Sequence, residues 1–139
     1  MTTQLSFSIQ HHFMSTEVGI VIPCALEYND SQAKFEAKVD PGCEFCLFTR
    51  EVADQLSIKV EDGYATRLST LTGNFTAYAH TVMLHTLGIS FESLVLFNPA
   101  YGTRRNLLGR VGWPNNLHMA LTMDDEMIYL KSIGSNENL

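Results

Sequence analysis

Short segments in which apolar and polar residues alternate, separated by turn residues, make up most of this chain. Residues 5–9 alternate in this way, which predicts a half-buried or edge strand. Residues 18–28 are rich in apolar and β-branched side chains, and Asn and Asp within residues 29–31 favour a turn. Alternation then resumes and ends at Asp40, so the pattern predicts a hairpin whose returning strand runs into a carboxylate.

One segment has helical rather than strand-like spacing. An apolar run over residues 43–48 leads to Thr49, whose hydroxyl can cap the first turn of a helix. Apolar side chains then share one face at a spacing of about four residues, which predicts a short helix over residues 50–57. A turn at residues 61–63 ends this part of the chain.

A second hairpin is predicted from two β-prone segments, residues 64–71 and 75–84. They are joined by Thr72, Gly73 and Asn74, and Gly-Asn favours a tight turn that needs positive φ. The tip is small and polar, so little in it would be buried. We expect this hairpin to project from the body of the protein and to move.

The rest of the chain continues the strand-like pattern. Residues 111–116 have room for one helical turn, because Pro114 limits its length. The polar tail at residues 132–139 is predicted to fray. The other predicted elements are a turn at residues 87–88, a strand over 89–97, a polar loop over 98–105, and a hairpin with strands over 117–123 and 127–130. The predicted class is therefore all-β with one short helix.

Length and charge narrow the possible functions. A chain of 139 residues corresponds to one domain and can bury a core without disulfides or metal. The formal net charge of −6 and the lack of a basic run argue against general binding to nucleic acid or acidic membranes. Neither a signal peptide nor an apolar segment of membrane-spanning length is present, and the three cysteines are an odd number. These features predict a cytoplasmic protein with reduced thiols.

The strongest chemical candidate is the run Asp40-Pro41-Gly42, the only Asp-x-Gly in the sequence. Aspartic proteolysis needs two carboxylates close enough to share one proton, so that one acts as base and the other as acid. A glycine two residues after the aspartate lets the backbone turn tightly. Alone, however, such a run is most often an ordinary turn. If Asp40 is catalytic, the second carboxylate must come from another copy of the chain.

The order of the motifs resembles that of the retropepsin-like aspartic proteases, the family of retroviral proteases and their bacterial relatives. That family has an apolar strand, Asp-Thr/Ser-Gly, an apolar run, a short helix, a flap hairpin and a second apolar pair followed by Gly and often Arg. Here the corresponding segments are residues 35–43, the predicted helix at 50–57, the hairpin at 72–74 and residues 106–110. The resemblance covers roughly residues 18–130, within a single domain of residues 1–139.

The resemblance implies a role for individual residues. Asp40 matches the catalytic aspartate, and Pro41, Gly42 and Cys43 complete the active-site turn. Thr72, Gly73 and Asn74 match the flap tip, and the supporting segment is Leu107, Leu108, Gly109 and Arg110. In retroviral relatives the arginine pairs with an acidic residue two positions beyond the motif glycine, which implies a contact between Arg110 and Glu44.

Pro41 departs from the family pattern. Relatives have Thr or Ser at this position, and its hydroxyl forms hydrogen bonds across the dimer axis that hold the two carboxylates coplanar. Proline has neither a hydroxyl nor an N–H group, although it can stiffen the turn. Two readings therefore stay open, an active protease and a relative that binds peptides or dimerises without cleaving.

Cys43 and Cys46 form a Cys-x-x-Cys pair, which can indicate redox chemistry or metal binding. The pair lies in an apolar, strand-like run rather than at a helix N-terminus, and no second cysteine pair completes a zinc site. We expect buried cysteines, Cys24 among them, and neither metal nor cofactor. A thiol-based redox protein remains a third hypothesis.

Together these observations predict a closed, acid-protease-like β-barrel that forms half of a homodimeric active unit. The two hairpins would cover the cleft and clamp an extended peptide or protein substrate. Residues 5–9 and 127–130 are the predicted interface strands, because they would otherwise leave exposed edges. The leading function is a dimeric aspartic endopeptidase.

Overall fold

The computed structural model of the chain describes residues 1–16 and 19–133, and strands dominate it. Its elements are β1 (Ile9–His12), β2 (Met14–Thr16), β3 (Gly19–Tyr28), β4 (Ser31–Val39), β5 (Leu47–Phe48), α1 (Arg50–Gln55), β6 (Tyr64–Thr70), β7 (Gly73–Thr86), β8 (Ile89–Phe97), β9 (Leu107–Leu108), β10 (Leu117–Thr122) and β11 (Met127–Ser132). Two 3-10 turns cover Val60–Asp62 and Pro114–Asn116. The predicted all-β class with a short helix is confirmed. Most of the predicted tail, residues 134–139, lies outside the described residues.

The strands form two sheets. Eight of them pair in the order β2-β3-β4-β9-β5-β8-β7-β6, while β1, β11 and β10 form a three-stranded sheet. The large sheet curls back on itself, because β3 also pairs with β7 from Ala25↔His85 to Glu27↔Met83. Strands β2 and β6 stay outside this ring as edges. The predicted closed barrel is therefore a curled, barrel-like sheet that keeps edge strands.

The core lies inside the curled sheet and is closed at one side by α1. Phe48, at the end of β5, packs edge-on against Phe35 of β4 with ring centroids 5.4 Å apart. Trp113 is fully buried, and its indole N–H donates to the Thr86 hydroxyl at 2.7 Å. An indole N–H buried without such a partner would cost about 1–3 kcal/mol. This hydrogen bond fixes the segment after β9 against the end of β7.

The predicted helix is confirmed, with a slightly earlier end. The Thr49 hydroxyl accepts a hydrogen bond from the Val52 N–H at 3.2 Å, as an N-cap does. Val52 and Ala53 are buried on the face that packs toward β4. Helical geometry ends at Gln55, because Ser57 takes the left-handed conformation with φ of 57° and turns the chain away.

The N-terminal strand begins later than predicted. Residues 1–7 form no strand, and β1 starts at Ile9, which pairs with Leu130 of β11. Leu5 is 74% exposed, so its apolar side chain contributes little to the core. The prediction for β11 as a free edge is also wrong, because β11 lies between β1 and β10. The edges of this sheet are β1 and β10.

Two other predicted hairpins are confirmed. Leu87 and Gly88 connect β7 to β8, and both have positive φ, at 49° and 88°. Such a pair gives a two-residue connection whose twist matches that of the flanking strands. The final hairpin joins β10 to β11.

Candidate active site

Asp40 stands at the end of β4, where two parallel strands meet. Val39 of β4 pairs with Leu108 of β9, and the Asp40 N–H donates to the Leu108 carbonyl at 3.1 Å. These bonds fix the backbone of Asp40 while its side chain remains 30% exposed. The strand that the sequence predicts to end in a carboxylate therefore does so, and the carboxylate remains accessible.

The chain reverses directly after Asp40. The Cys43 N–H donates to the Asp40 carbonyl at 3.0 Å, which closes a four-residue β-turn with Pro41 in its second position. Proline favours this position because its ring already fixes φ near the value that the turn needs. A Cβ atom added at Gly42 would lie 3.3 Å from Oδ1 of Asp40. The glycine thus leaves room beside the carboxylate.

The segment around Gly109 packs against the underside of this turn. A Cβ atom at Gly109 would lie 2.1 Å from the Phe45 carbonyl oxygen, so another side chain would force the two backbones apart. Immediately after it, the Arg110 N–H donates to the Cys43 carbonyl at 2.9 Å, and the Val111 N–H donates to that of Glu44 at 2.7 Å. The second apolar pair and its glycine therefore lie where the resemblance implies, beside the active-site turn.

Arg110 contacts the turn through a different partner from the one expected. Its Nη1 donates to the Pro41 carbonyl at 3.0 Å, and no ion pair joins its guanidinium to Glu44 within the described part of the chain. Glu44 is exposed. An exposed carboxylate gains little from pairing, whereas the carbonyl lies within the turn itself. The implied Glu44–Arg110 contact is wrong.

The predicted flap hairpin consists of β6 and β7, and its tip differs from the prediction by one residue. Leu71 and Thr72 form the two-residue turn, while Gly73 already pairs with Thr70 and has φ of 136°. The Thr70 hydroxyl donates to the Gly73 carbonyl at 2.7 Å. Asn74 lies on β7 rather than in the turn. The tip is also less polar than predicted, because the Leu71 side chain is fully exposed.

A cleft separates this hairpin from the active-site turn. Its volume is about 450 Å³, and its walls come from residues 42–45 of the turn and residues 67–70 of β6. Phe75 and Leu107 also line it, together with Leu47. The turn and the hairpin, far apart in the sequence, therefore face one another across a space large enough for peptide side chains.

A family model described as aspartyl protease matches residues 24–109, more than half of the chain. This chain belongs to the aspartyl protease family. A comparison with solved structures finds "a retropepsin-like aspartic protease from Rickettsia conorii", with a TM-score of 0.59 and 17% identity over 96% of this chain and 100% of that one. At that identity the likeness shows a shared fold. A comparison with curated protein sequences gave no match.

In this member of the aspartyl protease family, a cation lies beside the candidate catalytic aspartate. Lys38, two residues earlier on β4, points to the same side of the strand, and its Nζ lies 4.0 Å from Asp40 Oδ2. This contact was not predicted from the sequence. The alternation of side chains along a strand already puts positions 38 and 40 on one face, so the signal was present.

Helix α1 holds the loop over residues 98–105, which was also not predicted from the sequence. Arg50 donates to the Pro99 carbonyl at 2.8 Å, the Tyr101 hydroxyl donates to Asp54 at 2.7 Å, and the Gly102 N–H donates to Glu51 at 3.3 Å. The three helix residues share its exposed side and bind successive parts of one loop. This long loop is therefore fixed to the helix.

An ion pair strengthens that attachment. Arg50 Nη1 lies 2.6 Å from Glu61 Oε2. The hydrogen bond from Arg50 holds the pKa of the Glu61 carboxyl below its usual range, and the same bond raises the pKa of the guanidinium. The same guanidinium lies over the ring of Tyr101, 5.1 Å from its centroid.

The environment of the cysteines indicates a structural role rather than a reactive one. Cys43 donates to the Phe45 carbonyl and Cys46 to the Gly109 carbonyl, so the two thiols have separate partners, and all three cysteines are free. Burial raises the pKa of Cys46 to about 12 and also raises that of Cys24. Thiols of this kind are poor nucleophiles at neutral pH. Nothing in this arrangement favours the thiol-redox hypothesis.

The described residues contain neither a candidate metal site nor a membrane-spanning helix. No group of three or more His, Cys, Asp or Glu side chains within residues 1–16 and 19–133 is arranged to hold a metal ion. Across the same ranges, no helix has the length and apolar character needed to cross a membrane.

Proposed function

We propose that this chain is a homodimeric aspartic endopeptidase, in which the Asp40 carboxylates of two copies activate a water molecule against a peptide bond. The observation that carries the proposal is the setting of Asp40. Its backbone is fixed to β9, its side chain is accessible, and the adjoining turn faces the hairpin across a cleft of about 450 Å³. Membership of the aspartyl protease family supports the same chemistry.

The need for a second copy follows from the number of Asp-x-Gly runs. The sequence has one, whereas general acid–base hydrolysis of an amide needs a base for the water and an acid for the carbonyl oxygen. Two carboxylates held about 3 Å apart cannot both ionise, so the pair retains one proton at moderately acidic pH. A twofold axis beside the Asp40 turn would give this arrangement from identical chains.

The reaction would then proceed through proton transfers between the two copies of Asp40. The ionised carboxylate takes a proton from water as the oxygen attacks the peptide carbonyl carbon. The protonated carboxyl donates its proton to the carbonyl oxygen, giving a neutral tetrahedral intermediate. Proton transfer to the amide nitrogen follows, the C–N bond breaks, and an amine and a carboxylic acid leave.

The substrate class is an extended peptide or an unfolded protein segment. Strand β6 forms one wall of the cleft, and it pairs with β7 while its other side is a sheet edge. An edge strand offers N–H and C=O groups to an added strand, and side-chain pockets then provide specificity. The exposed Leu71 at the tip would contact the substrate or the tip of the second hairpin.

Dimer formation is proposed to involve the N-terminal sheet. Strand β1 is an edge of that sheet, and the preceding residues 1–7 expose Leu5. Pairing with a second copy would cover both features. A cytoplasmic location stays a prediction.

Pro41 bears on whether the site is active. The turn is held by backbone hydrogen bonds and by Arg110, and none of these needs a hydroxyl at position 41. We infer that proline maintains the turn by its fixed φ, in place of the hydroxyl network that the resemblance implies. The competing hypothesis, a peptide-binding module without activity, rests on the missing hydroxyl.

The decisive experiment incubates the purified protein with a mixed peptide library at pH 4 to 7 and identifies products by mass spectrometry. Cleavage that is lost in Asp40→Asn and kept in Asp62→Asn, an exposed aspartate in the Val60–Asp62 turn, supports the proposal. Cleavage that survives Asp40→Asn contradicts it. Peptide binding without cleavage by the unmodified protein identifies the silent module.

A further inference from the structure

A cationic cleft adjoins the candidate active site, and its lining indicates what kind of side chain it binds. Lys38, Arg104 and Arg105 line a space of about 270 Å³ together with Glu36. Three of the nine Lys and Arg residues therefore line one cleft in a chain whose formal net charge is −6. A concentration of positive charge on an acidic protein attracts anions locally.

The two arginines of this cleft have no partner among the residues that the structure describes. Within the described residues, no hydrogen bond or ion pair involves the side chain of Arg104 or Arg105, and both side chains are exposed. Elsewhere in the protein, the guanidinium groups of Arg50 and Arg110 both donate hydrogen bonds to specific acceptors. Arg104 and Arg105 thus offer planar sets of donors that match a carboxylate geometrically.

The position of these arginines is fixed by the surrounding structure. Asn106, the next residue, accepts a hydrogen bond from the Thr49 N–H through its side chain at 3.1 Å, and through its carbonyl from the Lys38 N–H at 2.8 Å. At the other end of the loop, α1 binds Pro99 and Gly102. A site built on anchored backbone loses less entropy when it binds a ligand than a mobile loop would.

The cationic cleft and the cleft beneath the hairpin are linked by a third space that shares lining residues with each of them. Arg104 and Arg105 also line a third space, of about 310 Å³, which includes Leu47 and Leu107. Those two leucines in turn line the cleft between the active-site turn and the hairpin. On its other side, the cationic cleft reaches Lys38, whose ammonium lies 4.0 Å from the Asp40 carboxylate. A peptide bound across Asp40 would therefore bring neighbouring side chains to the arginines.

We propose that Arg104 and Arg105 form a specificity site for an acidic side chain of the substrate, Asp or Glu, near the scissile bond. This inference rests on the proposed function, and it names the substrate class of that same site. A carboxylate binds both guanidinium groups, and Lys38 adds a third cation. Glu36 opposes this binding and keeps the site from holding any anion indiscriminately.

The test uses the best peptide from the library, resynthesised with Glu, Gln or Lys at each position near the scissile bond. At one position, kcat/KM for Glu should exceed that for Gln by about tenfold, because a charge-assisted pair is lost, and Lys should be poorer still. Arg105→Gln and Arg104→Gln should reduce this ratio, and Glu36→Gln should raise it. Lys59→Gln, at an exposed lysine on another part of the surface, should leave the ratio unchanged.

A charge swap makes the test sharper. Arg105→Glu should reverse the preference, so that the Lys peptide is cleaved faster than the Glu peptide, with cleavage still lost in Asp40→Asn. An equal ratio for the unmodified protein and both arginine variants overturns the inference while leaving the proteolytic function intact. Raising the ionic strength should also reduce the Glu preference, since exposed charges are screened.

A binding measurement tests the acidic specificity site separately from the proteolytic function. Titration of Asp40→Asn with the Glu and Gln peptides reports affinity without turnover. Tighter binding of the Glu peptide, removed by Arg105→Gln, supports the acidic site even where no cleavage occurs. Equal binding of both peptides contradicts the site, and failure of the proteolytic function appears separately as a lack of cleavage that depends on Asp40.

Discussion

Arg110 holds the active-site turn through the carbonyl oxygen of Pro41, which accepts a hydrogen bond from its Nη1 at 3.0 Å. The backbone N–H of Arg110 also donates to the Cys43 carbonyl, so the side chain and the main chain of one residue contact the second and the last residue of the turn. The turn that follows Asp40 is therefore held by a residue that lies 69 positions after Pro41 in the sequence.

Replacing Arg110 tests this role. Arg110→Gln should lower kcat by about tenfold or more, because small displacements of catalytic groups are costly. The free energy of unfolding should fall by only about 1 kcal/mol or less, since the contact is exposed. The measurement is kcat beside a urea unfolding curve. A variant with wild-type kcat would contradict the positioning role.

Substitution of two glycines, Gly109 and Gly42, should affect stability and activity differently. Gly109→Ala places a Cβ atom 2.1 Å from a backbone oxygen, and should cost about 3 kcal/mol or more of folding free energy. Gly42→Ala places a Cβ atom 3.3 Å from the Asp40 carboxylate, and should fold normally but lose activity. Thermal unfolding and peptide cleavage of both variants check this contrast. Equal stability losses would show that the close approach at Gly109 has been misjudged.

Pro41→Thr tests whether a hydroxyl at position 41 changes the activity. Threonine restores a group able to form a hydrogen bond across a dimer axis, so kcat should stay the same or rise. The unfolded chain gains freedom when proline is removed, which should lower stability by about 0.5–1 kcal/mol. Unfolding curves and kcat values, measured on the same preparations, check both expectations. A Thr variant without activity would mean that proline is essential to this turn.

The sequence predicts local features of this protein well. The hairpin turn at Leu87 and Gly88 and the helix cap at Thr49 depend on nearby residues, and the structure has both. The partners of Arg110 and Arg50 could not be predicted, because each contact joins residues that only the folded sheet brings together. The two-residue strand β9 likewise forms only because it pairs with β4 and β5.

In the candidate site, too, local features were predictable from the sequence and long-range contacts were not. Asp40 and its turn were identifiable from a local run, and the motif order then implied the hairpin and Gly109. The position of the hairpin tip was wrong by one residue, because the turn at Leu71 and Thr72 places the positive φ of Gly73 just after it. The cleft that Arg105 lines could not be predicted, since the sequence of a polar loop does not show which residues it will lie against.

Acid should weaken the attachment of the 98–105 loop. The pKa of Glu61 is lowered in the folded protein by Arg50, so its carboxylate stabilises the fold above its ordinary pKa of 4.5. That contribution is lost as the pH falls through the lower, folded-state pKa. Glu61→Gln should therefore lose less stability than the unmodified protein between pH 6 and pH 3. Parallel curves of urea midpoint against pH would contradict the pairing.

The central claim is that each active unit contains one Asp40 from each of two copies, and subunit mixing tests it most directly. Unmodified protein and Asp40→Asn are mixed at constant total concentration, allowed to exchange subunits, and assayed on the best peptide. If both carboxylates are required, activity follows the square of the unmodified fraction, so an equal mixture retains about a quarter of full activity. A linear fall to about half would show that each chain acts alone and would contradict the shared dyad.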